Sequence, residues 1–569
     1  MAAHCPDSIH LVRKDSKKHD GHKTGLAHTR WATHGGKTDE NAHPHTDAKG
    51  RIALVHNGTI NNSTELRSSL LKEGYTFRSE TDTEVIAMLV GKYLDQGDST
   101  KDALSHALSH CDGSWGIALI NKSNPGEVVA ACNGSPMVIG LGAGGKKFIA
   151  SETSAFSKYT KNFISMKDGE ITTVSTASTV DISRMEEAPD HNVLLTPHPH
   201  PHFTIKECLE QPEAIARALS YGARLNGSRV VLGGLDKNQE RLSAVRNMII
   251  TGCGTSKFAG ELGAKIMRDM DCFDNVYVID SAEVRASDLP QVAGALTAIS
   301  QSGETKDVHR AVKVADREGL TCISVINQVG SLIARTTGLG VYLNAGREQA
   351  VASTKAFTSQ VTVLSLIALW FRQTKEESQN LPFLPKRREL LQALQRLPIS
   401  FGMAVRLRDQ CREVAKRLLH KRDLFVLGKG YAEPIAMEGA LKIKEVCYVH
   451  AEGFSGGALK HGPLALIEDK DAQFGATPVI VIIIDDEHAG LQRIAAEEVK
   501  ARGAEVIVIT DNARLAEGID DTPLVIPENG MLTAVIAALP LQLIAYELAV
   551  LKGINPDVPR NLAKAVTTD

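Results

Sequence analysis

The stretch LFVLGKGYAEPIAMEGALKIKEVCYVHAEGFSGGALKHGPLAL, residues 424–466, carries the pattern that decides the fold of this 569-residue chain. Leu424–Leu427 is a short apolar run, and the glycine turn Gly428–Gly430 separates it from a helical pattern. Strand, tight turn and helix start, in that order, mark the place where an α/β protein holds an anion.

Ionisable side chains follow this turn at helical spacing. Glu438, Lys442 and Glu445 stand four and three residues apart, which places them along one helix face. Lys460 and His461 follow between glycines. A carboxylate, an amine and an imidazole gathered in this way can move protons on a small substrate. The alternative is a solvated helix face with a loop histidine.

The same order of strand, turn and helix recurs along the chain from about residue 241. Continuous apolar strands flanked by helices indicate parallel sheets that are buried on both faces. The sequence therefore predicts two copies of one αβα unit. The strand candidates are Met248–Thr251, Leu296–Ser300, Thr321–Ile326, Leu424–Leu427, Val479–Ile484 and Glu505–Thr510.

Polar side chains cluster where two strands of the first copy end. Neither turn there matches a dinucleotide or P-loop pattern. Hydroxyls and backbone N–H groups at a helix start suit a small phosphate, and ordinary helix capping is the alternative. The clustered residues are Thr255, Ser256, Ser300, Gln301, Ser302 and Thr305.

The first 185 residues have a different pattern. Ile52–Val55 and Trp115–Ile120 are strand candidates, and Glu80–Tyr93 has helical spacing. Pro189–His202 contains TPHPHPH, a composition typical of a linker. A metal site is the alternative there, but proline prevents a helix that would aim the histidines together, so we expect no metal and no cofactor.

Composition excludes several classes of protein. A net charge of −3 gives no field that favours nucleic acid or an anionic membrane. The nine cysteines form no C-x-x-C pair, which favours reduced thiols in the cytoplasm, and the N-terminal residues show no signal peptide. Pro540, Gln542 and Glu547 interrupt the apolar stretch Met531–Leu551, which predicts a buried helix rather than a membrane span.

Longer motifs carry a family resemblance. SQSGET (300–305), VASTKAFT (351–358), ALKIKE (440–445), LKHGPLALI (459–467) and PRNLAKAVT (559–567) resemble the synthase half of the glutamine–fructose-6-phosphate aminotransferase (isomerising) family. HTRWATHG (28–35), NAHPH (41–45), HNGTINN (56–62) and SETDTEVI (79–86) resemble its glutaminase half. The family makes glucosamine 6-phosphate, the first step towards UDP-N-acetylglucosamine.

The resemblance implies a domain order and a set of partners. It implies a partial α+β N-terminal-nucleophile glutaminase domain (1–188), a linker (189–240), two αβα sugar isomerase domains (241–400 and 401–555) and a catalytic tail (556–569). The implied substrates are fructose 6-phosphate and glutamine or ammonia, in a homo-oligomer, a dimer or tetramer.

The resemblance also implies roles for single residues. Glu445 is the base, Lys442 stabilises the enolised intermediate, His461 opens the sugar ring from a neighbouring subunit and Lys564 forms an imine with the ketose. Val351 and Ser353 line the sugar site, and the hydroxyl cluster holds the phosphate. The implied glutamine and oxyanion residues are Arg30, Trp31, Thr33, His34, Asn57, Gly58 and Asp82.

Some positions depart from the family pattern. The family nucleophile is a cysteine at the mature N-terminus, but HTRWATHG begins only at residue 28, so we expect a truncated glutaminase half without glutamine hydrolysis and with Cys5 an incidental thiol. Ala458 and Cys132 replace the usual Glu and Arg.

The alternatives to the full reaction are an ammonia-dependent synthase, a phosphohexose isomerase and a sugar-phosphate-binding regulator. A regulator needs only the phosphate cradle, so Glu445, His461 and Lys564 together favour an enzyme.

Overall fold

The computed structural model describes residues 21, 23–29, 36, 38–178, 181–187 and 196–564. These residues form two compact units, one before and one after residue 196.

The first unit is α+β, with helices on one face of an antiparallel sheet and a second antiparallel sheet on the other. The first sheet has the order β1-β2-β3-β4-β8 and the second β6-β5-β7-β9. The strands are β1 (His45–Thr46), β2 (Ile52–Ile60), β3 (Gly113–Asn121), β4 (Glu127–Asn133), β5 (Val138–Leu141), β6 (Lys147–Ala150), β7 (Asn162–Ser165), β8 (Ile171–Ser175) and β9 (Glu186–Glu187), and the helices are α1 (Ser63–Lys72), α2 (Asp82–Asp95) and α3 (Thr100–Ser109).

Alternation along the strands produces these layers. On β2, Leu54 belongs to the apolar cluster with the helices, while its neighbour Val55 belongs to the cluster that includes Ile139 of the second sheet. Thr81 caps α2 by accepting from the Glu84 N–H. The predicted strands and helix of this region are confirmed, with longer strands than the apolar runs alone indicated.

The second unit contains two parallel sheets. Its strands are β10 (Leu225–Asn226), β11 (Arg229–Val230), β12 (Asn247–Gly252), β13 (Asn275–Asp280), β14 (Gly294–Ser300), β15 (Thr321–Ile326), β16 (Gly340–Tyr342), β17 (Asp423–Gly428), β18 (His450–Ser455), β19 (Pro478–Ile483), β20 (Glu505–Thr510) and β21 (Leu524–Val525). Its helices are α4 (Phe203–Leu209), α5 (Gln211–Ala218), α6 (Gly233–Asp236), α7 (Gln239–Ser243), α8 (Thr255–Asp269), α9 (Lys306–Arg317), α10 (Leu332–Thr337), α11 (Lys355–Gln379), α12 (Pro385–Ala404), α13 (Arg408–Leu418), α14 (Ala432–Cys447), α15 (Ala489–Lys500), α16 (Thr533–Ile536) and α17 (Ala538–Leu551).

The two sheets repeat one topology. Their orders, β13-β12-β14-β15-β16 and β18-β17-β19-β20-β21, are the same when each is counted from its own first strand, and all pairings are parallel. One continuous apolar core joins both copies. The predicted pair of αβα units is therefore confirmed. The strands β13, β16, β18 and β21 escaped prediction because they are short or only half buried.

The prediction of a linker is wrong for most of residues 203–240. After the proline and histidine alternation ends at His202, Ile205, Cys208, Ile215 and Ala218 recur at helical spacing. They form the buried faces of α4 and α5 and join the main core. The first of these helices and its C-cap also supply polar contacts to the site described below.

The apolar stretch near the C-terminus is a core element of this unit. Gly530–Leu551 is long and apolar enough to cross a membrane, but 89% of its most apolar window is buried. Glu547 on α17 accepts from Arg408 (2.8 Å) and Arg412 (2.9 Å). The prediction of a buried helix is confirmed.

Candidate functional site

Lys442 on α14 joins the two copies of the αβα unit. Its Nζ donates to Glu445 Oε2 at 2.5 Å and to Thr255 Oγ1 at 2.9 Å, and it lies 3.6 Å from Glu438 Oε1. Glu438, Lys442 and Glu445 share one helix face, as their spacing predicts. Because Lys442 is only 1% exposed, the face is not the solvated one of the alternative interpretation.

Burial sets the charges along this helix face. It raises the pKa of Glu438 to about 8, although Lys442 and Thr255 offset part of the effect. Burial by itself lowers the pKa of Lys442, but the carboxylates of Glu438 and Glu445 outweigh it and raise that pKa. Burial thus favours the protonated form of Glu438, and Glu445 is the carboxyl group in closest contact with Lys442.

Side chains of the turn after β14 form hydrogen bonds within the turn itself. Ser300 Oγ lies 3.0 Å from Thr305 Oγ1 and accepts from the Gly303 N–H at 3.0 Å, while Ser302 Oγ accepts from the Glu304 N–H at 3.2 Å. Gly303 has φ +69°, the left-handed conformation that glycine adopts without strain. The turn leads directly into α9.

The capping alternative for these hydroxyls is not what the structure shows. Thr305 stands at the N-cap of α9, but its side chain makes no capping hydrogen bond. Gly254 holds the N-cap of α8, so Thr255 and Ser256 lie inside that helix. Ser256 Oγ instead accepts from Gln360 Nε2 at 2.9 Å. Ser302 accepts within the turn and keeps its hydroxyl proton to donate to a ligand, and Thr305 does the same when Ser300 donates to it.

Glu348 is a buried carboxylate that no motif in the sequence singles out. It accepts from the N–H groups of Thr354 (2.9 Å) and Ala356 (3.1 Å), from Ser353 Oγ (2.9 Å) and from Lys564 Nζ (2.5 Å). Burial by itself raises the pKa of Glu348, but Lys564 and the hydrogen bonds more than offset this and lower it to about 2. No local pattern marks Glu348. Its position three residues before VASTKAFT is the one available signal.

A second buried carboxylate supports the same loop from α4. Glu207 accepts from the Gln349 N–H at 2.5 Å and from the Ala350 N–H at 3.3 Å. Burial and the neighbouring charge of Glu348 raise the pKa of Glu207 to about 8. Three residues later, at the C-cap of α4, Glu210 accepts from Lys355 at 2.8 Å.

Other predicted residues of the sugar site occupy different places. Val351 donates its N–H to the Asp557 carbonyl at 3.0 Å, and Gln301 is half-buried at the start of the turn. His461 ends a short 3-10 turn, Ala458–His461, and is exposed in the single chain. No hydrogen bond joins its imidazole to another described residue. The structure thus brings Lys442, Glu445 and Thr255 together, and separately Ser353 and Lys564, but it does not join His461 to either group.

The glutaminase residues are described only in part. Asn57 and Gly58 lie on β2, and Asn57 Oδ1 is 2.8 Å from His28 Nε2. Asp82 begins α2, and its Oδ2 accepts from the Ile60 N–H at 2.9 Å, which ties the helix start to the end of β2. Cys5, Arg30, Trp31, Thr33 and His34 lie outside the described residues.

The second glycine turn does not continue the phosphate pattern. Gly430 has φ +62°, and a Cβ there would meet the His488 ring at 2.3 Å. Asp486 and Asp511 stand at the same edge of the second sheet, and burial raises the pKa of both. Within the described part of the chain, no group of three His, Cys, Asp or Glu side chains is arranged to hold a metal.

Comparisons with known proteins match this organisation. A SIS domain family matches residues 241–370 and 417–552, and a glutamine amidotransferase domain family matches residues 28–158. The glutamine–fructose-6-phosphate aminotransferases (isomerising) of Thermococcus kodakarensis and Pyrococcus horikoshii are 38% and 40% identical, each over 96% of this chain and 89% of the relative.

A solved structure resembles the second unit. The C-terminal domain of glucosamine-fructose-6-phosphate aminotransferase from Francisella tularensis is similar with a TM-score of 0.58 and 29% identity, over 63% of this chain and 99% of that one.

Proposed function

The chain belongs to the glutamine–fructose-6-phosphate aminotransferase (isomerising) family, and from this we propose that it makes glucosamine 6-phosphate from fructose 6-phosphate and glutamine. The observation that carries the proposal is the contact of Lys442 with both Glu445 and Thr255. It places an acid–base pair from one αβα copy against the polar helix start of the other.

The turn after β14 holds the phosphate in this proposal. Ser302 and Thr305 donate their hydroxyls, and the N–H groups at the start of α9 add neutral donors and the helix dipole. Ser300 keeps the turn in shape through its bonds to Gly303 and Thr305. Gln301, Thr255 and Ser256 complete the phosphate end, and Val351 and Ser353 line the sugar.

Glu445 moves the proton. As a carboxylate it takes a proton from C1 of the open-chain imine that ammonia forms at C2 and returns it to C2, while the C1 hydroxyl proton goes to the nitrogen, which gives the 2-amino aldose. Lys442 donates to Glu445 in the resting site and is positioned to stabilise negative charge on the enolised oxygen. When Glu438 is protonated, the Lys442 ammonium interacts with Glu445 alone. An ionised Glu438 would compete with Glu445 for this ammonium.

Lys564 forms the imine with the ketose carbonyl in this proposal, with loss of water. An amine attacks a carbonyl only in its neutral form. Lys564 contacts the ionised Glu348, so the amine must leave Glu348 before it reacts. The ion pair is then a resting state that keeps the amine close to Ser353.

In this proposal the first unit binds glutamine, and no described residue is assigned as the nucleophile that would release ammonia from it. Arg30 and Asp82 suit the carboxylate and the ammonium of the amino acid. Asn57 and Gly58 on β2 are positioned to contribute to an oxyanion site, and Trp31, Thr33 and His34 complete the glutamine pocket. We place the enzyme in the cytoplasm, where its thiols, free at every described cysteine, stay reduced.

The test is turnover with two nitrogen sources. The purified chain is incubated with fructose 6-phosphate and either glutamine or an ammonium salt, and glucosamine 6-phosphate is measured by mass spectrometry. Glu445→Gln should lower the rate by about 10² or more because the base is lost. Glu433→Gln, on the same helix but in a half-exposed pair with Lys265, is the matched control.

Other outcomes assign other functions. Conversion to glucose 6-phosphate without amination from either source would show a phosphohexose isomerase. Product from ammonium alone would show an ammonia-dependent synthase, and binding of fructose 6-phosphate without any turnover would show a regulator.

The sugar site is shared between subunits of a dimer or larger homo-oligomer in this proposal. The supporting observation is that His461 is exposed and unconnected to Lys442 and Glu445 within one described chain. Mixing the two inactive variants His461→Ala and Glu445→Gln should restore part of the activity, because hybrids contain one intact site. Inactivity of refolded mixtures whose hybrids are verified by native mass spectrometry contradicts a shared site.

A further inference from the structure

Asp557 connects the C-terminal segment to two other elements. Its Oδ1 accepts from the N–H and the hydroxyl of Thr204, both at 2.7 Å, and its Oδ2 accepts from the Phe203 N–H at 2.8 Å. Its backbone carbonyl accepts from the Val351 N–H at 3.0 Å, in the loop that also carries Glu348. One residue thus fixes the beginning of the segment against α4 and against the proposed sugar loop.

Tyr448 holds the same segment three residues later. The Arg560 N–H donates to Tyr448 Oη at 2.7 Å, and the Arg560 guanidinium carbon lies 4.3 Å from the centre of the Tyr448 ring. Tyr448 has φ +56° at the C-cap of α14, the helix that carries Lys442 and Glu445. The segment is therefore attached directly to the end of the proposed catalytic helix.

We propose that Asp557 and Tyr448 are positioning residues that hold residues 557–564 so that Lys564 reaches the sugar site. The inference rests on the proposed function, in which Lys564 forms the imine. Asp557, Arg560 and Lys564 each contact a different part of the second unit, namely α4, the end of α14 and Glu348. Without such anchors a terminal segment frays, and its lysine spends little time near the carbonyl.

Imine formation predicts which kinetic constant these anchors affect. The imine forms when Lys564 Nζ attacks C2 of the open-chain sugar and the carbonyl oxygen leaves as water. The rate of this step depends on how closely Nζ is held to C2. Sugar phosphate binding depends mainly on the turn after β14, so loss of an anchor should lower kcat and leave KM for fructose 6-phosphate nearly unchanged.

The experiment captures the imine with borohydride. The full chain is incubated with fructose 6-phosphate and sodium borohydride, and peptide mass spectrometry measures the rate at which Lys564 acquires the reduced sugar adduct. Asp557→Asn should lower this rate and kcat by about tenfold or more, since it disturbs hydrogen bonds to a charged acceptor. Tyr448→Phe, which keeps the ring but removes the hydroxyl, should lower both by several-fold.

Asp520→Asn is the matched control. Asp520 accepts from two backbone N–H groups, those of Val508 (2.8 Å) and Thr522 (3.0 Å), and from the Thr522 hydroxyl, as Asp557 does at its own place. None of these hydrogen bonds involves residues 557–564. Asp520→Asn should therefore lower stability as Asp557→Asn does, while the rate of adduct formation at Lys564 stays unchanged. If Asp557→Asn fails to fold, Tyr448→Phe decides the question.

Two results overturn the inference in distinguishable ways. Equal trapping in the Asp557, Tyr448 and Asp520 variants shows that the anchors do not position Lys564, and it leaves the proposed function intact. The second result is turnover that requires Glu445 while Lys564 of the unsubstituted chain acquires no adduct. It would show that Lys564 forms no imine, and the inference would then be wrong as well.

Discussion

Lys442 Nζ donates to Thr255 Oγ1 at 2.9 Å, although the two residues belong to different copies of the αβα unit. Thr255 begins α8 after the first strand of one sheet, and Lys442 lies on α14 after the first strand of the other. The copies share one apolar core, so this contact is held by rigid packing on both sides. Each copy therefore contributes half of the proposed sugar site.

Thr255→Val tests this contact between the copies. Valine keeps the branched shape but removes the oxygen that accepts from the Lys442 ammonium, an interaction worth about 1.5–3 kcal/mol. We expect kcat/KM for fructose 6-phosphate to fall by about tenfold or more in steady-state kinetics. The control is Thr362→Val on α11, whose hydroxyl only donates to the Thr358 carbonyl of its own helix at 2.7 Å. Equal kinetics in the two variants would show that Thr255 has no part in the site.

Gly303→Ala tests the phosphate turn. Alanine at φ +69° is strained by about 1–2 kcal/mol, and its Cβ would lie 2.0 Å from Ser331 Oγ, so the turn must shift. Titration calorimetry should show the affinity for fructose 6-phosphate lowered by about tenfold or more, as the donors of Ser302 and Thr305 lose their alignment.

Gly319→Ala separates strain from binding. Gly319 has φ +77°, but nothing lies within 4 Å of a Cβ there. The control should therefore lose only the stability that backbone strain costs, and it should keep the affinity. If Gly303→Ala leaves the affinity for fructose 6-phosphate unchanged, the phosphate does not bind at this turn.

The parts of the fold and site that the sequence predicts are those with a local signature. The central strands are continuous apolar runs, and Ser300 and Thr305 stand at the end of one of them, so their meeting follows from parallel-sheet geometry. The Lys442 and Glu445 contact follows from helical spacing. Lys564 was placed at the site through the family resemblance alone.

Glu348 and Glu207 show what the sequence does not reveal. They lie far apart in the chain, and each takes its role from backbone N–H groups of a loop between residues 348 and 356. Helix α4 was not predicted, because the proline and histidine alternation just before it has the composition of a linker. Only tertiary packing turns the segment after His202 into a support for the sugar loop.

The two carboxyls with raised pKa values make stability depend on pH. Glu438 and Glu207 have pKa values of about 8 in the folded chain, against an ordinary value of 4.5, mainly because of burial. Between these values the folded state keeps protons that the unfolded chain releases. Stability from these groups is therefore complete below about pH 4.5 and decreases as the pH rises towards 8.

Glu438→Gln isolates one of these contributions, since glutamine cannot ionise and resembles the protonated acid. One group with this shift lowers the free energy of unfolding by up to about 1.4 kcal/mol per pH unit in that window. Relative to the unsubstituted chain, the variant should therefore gain stability steadily from pH 5 to pH 8 in urea unfolding followed by circular dichroism. Glu433→Gln, half-exposed on the same helix, is the control and should leave the pH dependence unchanged. Parallel curves for Glu438→Gln and the unsubstituted chain would mean that Glu438 is ionised throughout, and that Lys442 divides its charge between two carboxylates rather than serving Glu445 alone.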